Sequence, residues 1–164
     1  MKKEAPDGAS FFHLNQRHAL AKHVEYLCFE LPGVEAIFNC GQAMYKGETI
    51  LLCSICPVGE ERPYIKVARS KDGINFKFDE KPLITMSEEF ARYDTWVIDP
   101  RLTYFPEEDT YYIMRPASSD LGTAAILGKT KDFETYEDIE IIALPSNRVP
   151  CLFPRKDKWQ LCPP

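Results

Sequence analysis

Two stretches of this 164-residue sequence lie about sixty residues apart and read as the same unit. Phe38-Asn39-Cys40-Gly41-Gln42-Ala43-Met44-Tyr45 aligns with Ile98-Asp99-Pro100-Arg101-Leu102-Thr103-Tyr104-Phe105. Further on, Ile65-Lys66-Val67-Ala68-Arg69-Ser70-Lys71-Asp72-Gly73 aligns with Ala125-Ile126-Leu127-Gly128-Lys129-Thr130-Lys131-Asp132-Phe133. Leu152-Phe153-Pro154-Arg155-Lys156 then opens a third copy. Each unit is a run of short strands separated by turn signals, which is the pattern of propeller blades. Two and a half blades cannot close a ring, and their open strand edges would invite self-association into a homo-oligomer.

Within the first unit a hairpin is expected between 43–45 and 49–55, turning at Lys46-Gly47. A strand over 64–69 follows, then the turn Lys71-Asp72-Gly73, then a strand over 75–78. The second unit repeats the order with strands over 102–105, 110–114, 123–129 and 139–144. The domain reading is a leader and helix over 1–35 and a partial propeller over 36–164. Its blades span about 36–90 and 91–147, and a third opens at 148. The helix is expected over 14–30, where Ala19, Leu20, Ala21, Val24, Leu27 and Cys28 recur near helical spacing before Pro32-Gly33. The histidines at 13, 18 and 23 are five apart, so they drift around such a helix instead of sharing a face.

A net charge of −5 argues against a nucleic-acid partner, which usually selects a basic excess. No apolar stretch approaches a membrane span, and no secretory signal opens the chain. Of the six cysteines, Cys53 and Cys56 make the single CxxC, with no second pair to complete a zinc site. They read as small apolar core residues, and free thiols suit the reducing cytoplasm. No metal and no cofactor are expected.

Asp99 is the leading chemical candidate. It opens the second unit, where an innermost strand would run beside a propeller axis. Its apolar neighbours Trp96, Val97 and Ile98 would partly desolvate the carboxyl group and favour its protonated form, as a general acid needs. Arg101, two residues on, would share its face on a strand and could instead pair with it. Asn39 stands at the equivalent place in the first unit, where an amide could hold a sugar hydroxyl. Arg155 and Lys156 stand in the third, where two cations would suit phosphate or a carboxylate.

Taken in order, Phe38-Asn39-Cys40-Gly41, Val67-Ala68-Arg69-Ser70-Lys71-Asp72-Gly73-Ile74-Asn75-Phe76, Asp99-Pro100-Arg101-Leu102-Thr103, Lys129-Thr130-Lys131-Asp132-Phe133 and Leu152-Phe153-Pro154-Arg155-Lys156 resemble glycoside hydrolase family 130. The likeness runs from residue 36 to about 160. It implies an all-β, five-bladed propeller and an enzyme acting on β-mannosides, either a phosphorylase or a hydrolase. It further implies that Asp99 is the single general acid. Asn39, Arg69, Arg101, Arg155 and Lys156 would bind substrate, with inorganic phosphate as the candidate co-substrate. The sequence departs from the family's phosphorylases at Leu52-Cys53-Ser54, where an arginine is usual. Members are also roughly twice as long, so a non-catalytic propeller fragment is the competing expectation.

Overall fold

The computed structural model describes residues 11–12, 27–28, 31–59, 62–143 and 150–153. Among them every regular element is a strand: β1 (Phe11–Phe12), β2 (Leu27–Cys28), β3 (Val34–Tyr45), β4 (Glu48–Pro57), β5 (Tyr64–Ser70), β6 (Lys77–Ile84), β7 (Arg101–Phe105), β8 (Thr110–Ser119), β9 (Gly122–Thr130) and β10 (Glu137–Ala143). The helix expected over 14–30 lies mostly outside the described residues. The part of it that is described, Leu27–Cys28, is strand paired with Phe11–Phe12.

The sixty-residue units become two four-stranded antiparallel meanders, β3-β4-β5-β6 and β7-β8-β9-β10. The repeat extends to the backbone. Lys46 and Asp109 both take left-handed φ, 48° and 47°, in the turn after each first strand. After each third strand a pair of side chains folds the next turn. Ser70 Oγ accepts the amides of Asp72 and Gly73, and Asp72 Oδ1 accepts those of Ile74 and Asn75. Thr130 and Asp132 make the same four bonds to Asp132, Phe133, Glu134 and Thr135. Such local side-chain bonds are why Ser, Thr and Asp specify turns.

β4 is buried on both faces, so its apolar run is continuous. Ile50 and Leu52 pack with Ile65, Val67, Ile84, Val97, Tyr111, Ile113 and Phe133 between the two sheets. Cys53 and Ile55 face the other way, with Ile37 and Ala68. Each fully buried Val, Leu or Ile side chain among them contributes about 1.5–3 kcal/mol. Phe133 occupies the left-handed position that Gly73 fills in the first blade, at φ 58°. Its ring is 1% exposed and sits edge-on to Tyr45 at 5.3 Å, which offsets the backbone cost.

The two blades approach each other where β3 meets the opening of β7. Gly41 makes this possible, because a Cβ there would collide with the Pro100 carbonyl and the Leu102 side chain. The connection from β6 to β7 is held by a buried ion pair. Arg115 Nη1 and Nη2 reach Asp94 Oδ1 and Oδ2 at 2.7 and 2.9 Å, and neither side chain is exposed.

Candidate active site

Asn39 and Asp99 come together as the repeat predicts. Asn39 Nδ2 donates to Asp99 Oδ1 at 2.7 Å, linking the first blade to the second. Both residues take left-handed φ, 42° and 54°, a region in which Asn and Asp are enriched. Asn39 reaches it through a β-bulge, since the β3–β4 register shifts between Phe38 and Gly41. Asp99 reaches it against the preference of a residue preceding proline, which favours extended backbone. Its conformation is held from the side. The Asp99 amide donates to Ser54 Oγ at 2.9 Å, and the Ser54 hydroxyl lies 3.4 Å from the Asn39 carbonyl it donates to.

Ser54 was not singled out from the sequence. It is fully buried on β4, the polar residue of the run Leu51-Leu52-Cys53-Ser54-Ile55. A lone hydroxyl in an otherwise apolar strand, at the level of the bulge, is the signal that could have found it. Pairing in the ladder sets its place, because Ser54 stands opposite Phe38.

The other expected site residues are more dispersed. Arg101 is exposed at the start of β7, and the Asp99 carboxylate is taken by the Asn39 amide instead of by Arg101. Asp99 precedes the strand with a left-handed backbone, so the two-residue periodicity that would align the pair does not apply. Arg69 is engaged between the blades. Its Nε meets both carboxylate oxygens of Asp79 at 3.0 Å, and Nη2 donates to the Phe133 carbonyl at 3.1 Å. Of the desolvating neighbours, Val97 is buried in the interblade core, whereas Trp96 is 50% exposed. Arg155 and Lys156 lie outside the described residues, as do the three histidines. The segment leading to the two cations is placed beside the second blade, because the Leu152 carbonyl accepts Thr103 Oγ1 at 3.2 Å.

Burial opposes charge on Arg115, but its bonds to Asp94, with the nearby Tyr136 and Asp138, raise its pKa overall. Burial pushes the Tyr136 hydroxyl up. Among the described residues no cluster of three or more His, Cys, Asp or Glu side chains could hold a metal ion. Nor is any helix among them long and apolar enough to cross a membrane.

No protein-family model matches the sequence. A β-1,2-mannobiose phosphorylase of Listeria innocua is 43% identical over 94 residues, which are 57% of this chain and 25% of that protein. The structure of a Listeria innocua β-1,2-mannobiose phosphorylase in complex with β-1,2-mannobiose superposes with a TM-score of 0.65 at 29% identity, covering 79% of this chain and 51% of that one. The resemblance to glycoside hydrolase family 130 is borne out. A structure described as showing that the GH130 mannoside phosphorylases include hydrolases of β-1,2 mannosidic linkages has a TM-score of 0.57 at 16% identity, which speaks for the fold alone. A Bombyx mori GH32 β-fructofuranosidase does likewise, at 0.60 and 21%. The all-β propeller architecture is thus shared with the GH130 neighbours. The chain spans about half or less of the length of the relatives it matches.

Proposed function

We propose that this chain carries the general-acid half of a β-mannoside-active site and that the whole site catalyses inverting phosphorolysis of β-mannosides. The observation that carries the reading is the 2.7 Å bond from Asn39 Nδ2 to Asp99 Oδ1, made between equivalent left-handed residues of adjacent blades. Left-handed Asn and Asp with side chains turned to one point are a costly arrangement of the kind found at functional sites.

The chemistry follows from one carboxyl group. Asn39 occupies Oδ1, which fixes the carboxyl rotamer and leaves Oδ2 to carry the transferable proton. Asp99 gives that proton to the glycosidic oxygen as the bond to the anomeric carbon breaks, and the electron pair leaves with the oxygen. A phosphate oxygen forms the new bond from the opposite face, so a β-mannoside yields α-mannose 1-phosphate and the free leaving sugar. Asp99 ends as a carboxylate, still accepting from Asn39, and regains its proton afterwards. Phosphate is already a competent nucleophile, so the second carboxylate of an inverting hydrolase is unnecessary. Arg155 and Lys156, three and four residues beyond Leu152, are the proposed phosphate-binding cations; Arg101 is the proposed contact for the leaving sugar. Arg69 acts through the blade contact described above. The β-1,2-mannobiose bound by the Listeria relative is the first substrate to try.

Hydrolysis is the second reading. It is favoured by the apolar Leu52-Cys53-Ser54, which puts no cation where the family's phosphorylases usually have arginine. One assay separates them. The chain is incubated with β-1,2-mannobiose with and without phosphate, and α-mannose 1-phosphate and mannose are measured. Phosphate-dependent sugar phosphate supports phosphorolysis; mannose without phosphate supports hydrolysis. Asp99→Asn should lower either rate by about 10²–10⁴-fold. Asn39→Ala should weaken β-1,2-mannobiose binding in titration calorimetry. Unchanged turnover in Asp99→Asn sinks the assignment.

A further inference from the structure

A second reactive pair lies one residue to the side of this site. Cys40 follows Asn39 in the bulge, and Cys53 precedes Ser54 on β4. Register runs from Phe38↔Ser54 to Gly41↔Leu52, so Cys53 alone stands opposite the two bulge residues. The Cys40 thiol donates to Cys53 Sγ at 3.1 Å. Residues opposed across an antiparallel ladder have Cα atoms about 4.5–5.5 Å apart, inside the window a disulfide requires. Closing the bond needs the two sulfurs to approach by roughly 1 Å. The adjacent CxxC residue, Cys56, is not the partner; it lies in a separate, half-buried position.

We propose that Cys40 and Cys53 are a redox-active pair, joined by hydroperoxide into a disulfide that clamps the two residues seating Asp99. Cys40 is half-buried and Cys53 fully buried, so the oxidant meets Cys40 first. The bond to Cys40, with burial, raises the Cys53 pKa, which disfavours a Cys53 thiolate while the pair is reduced. Cys40 attacks the peroxide and becomes a sulfenic acid, releasing one water. Cys53 then displaces the hydroxyl from the Cys40 sulfur, releasing a second. Two thiols and one hydrogen peroxide thus give one disulfide and two waters. The new bond ties Cys40 to Cys53, and so ties their neighbours Asn39 and Ser54, which hold the Asp99 carboxylate and amide. The pairing is independent of the mannoside reading, because it rests on the bulge alone.

The test treats the reduced chain with a stoichiometric excess of hydrogen peroxide. Remaining thiols are then alkylated and non-reduced peptides mapped by mass spectrometry. A Cys40–Cys53 linked peptide that dithiothreitol dissolves is expected, and Cys40→Ser should abolish it while leaving Cys53 free to alkylate. Hydrogen exchange supplies the second measurement: oxidation should slow the Asp99 amide, which donates to Ser54, at least several-fold in wild type and not in Cys40→Ser. Cys40 and Cys53 both alkylated after peroxide, or linked to other cysteines, would overturn the pair. A linked peptide with unchanged Asp99 exchange would overturn the clamp.

Discussion

Replacing Asp94 by Asn tests whether the buried ion pair supports the connection that delivers Asp99. In the wild type three donors converge on the Asp94 carboxylate: Arg115 Nη1 at 2.7 Å, Arg115 Nη2 at 2.9 Å and the Ser87 amide at 3.1 Å. None of this is reached by solvent, for both side chains are 0% exposed. An Asn keeps the shape but removes the charge and turns an NH2 toward groups that are themselves donors. Removing one partner of a buried pair typically costs about 3–5 kcal/mol, because the other charge stays buried without compensation. Arg115 would keep one anionic contact, Asp138 Oδ1 at 3.3 Å. Its Nε already lacks an acceptor, so there is no reserve to redistribute. The lower end, about 3 kcal/mol, is the expected loss.

In urea, with a slope of about 2 kcal/mol/M, this moves the unfolding midpoint down by about 1.5 M without changing the slope. The double variant Asp94→Leu with Arg115→Met should recover most of the loss, since apolar replacements of buried pairs are often neutral or better. A midpoint within about 0.3 M of wild type for Asp94→Asn, roughly 0.6 kcal/mol, refutes the argument. So does a double variant whose cost equals the sum of the single variants, because a true pair must show coupling.

Two further outcomes follow from the blade contact and the turns. Gly41→Ala should destabilise the fold by about 1–3 kcal/mol and separate Asn39 from Asp99, because its Cβ would strike Pro100 and Leu102. An NMR spectrum with an unshifted Asp99 amide would contradict that. Backbone bonds from Asn75, then its side chain, hold the Asp72 carboxyl well below the usual range. For Asp132, burial opposes the shift, but bonds from the Thr135 and Glu134 amides prevail and lower it. Folded-state values below the unfolded ones mean that both carboxylates stabilise the fold above the ordinary Asp range, about pH 4, and lose that contribution as pH falls through the folded values. Asp72→Asn with Asp132→Asn should therefore flatten the acid limb of a stability-against-pH curve. An unchanged acid limb would rule out both turns as its source.

What the sequence could and could not reveal divides along one physical line. Features specified locally were legible. Period-two strands, Lys46-Gly47, and the Ser-Lys-Asp and Thr-Lys-Asp turns each fold from contacts within a few residues, so both blades could be drawn before their packing was known. The Asn39–Asp99 contact was legible for another reason. Repetition turns a long-range question into a local one, because equivalent positions on neighbouring blades must emerge side by side. Everything that joins unlike positions escaped. Ser54 reaches Asp99 across forty-five residues, Asp94 meets Arg115 across twenty-one, and Arg69 reaches the Phe133 carbonyl across sixty-four. None of these pairs occupies equivalent places in the repeat. Arg69 is the clearest case: chemistry alone nominates an arginine for an anionic ligand, and the fold also sets Asp79 and the Phe133 carbonyl against it. Asn39 and Asp99 stand on symmetry and geometry together, whereas Arg101, Arg155 and Lys156 stand on residue type and must be decided by binding.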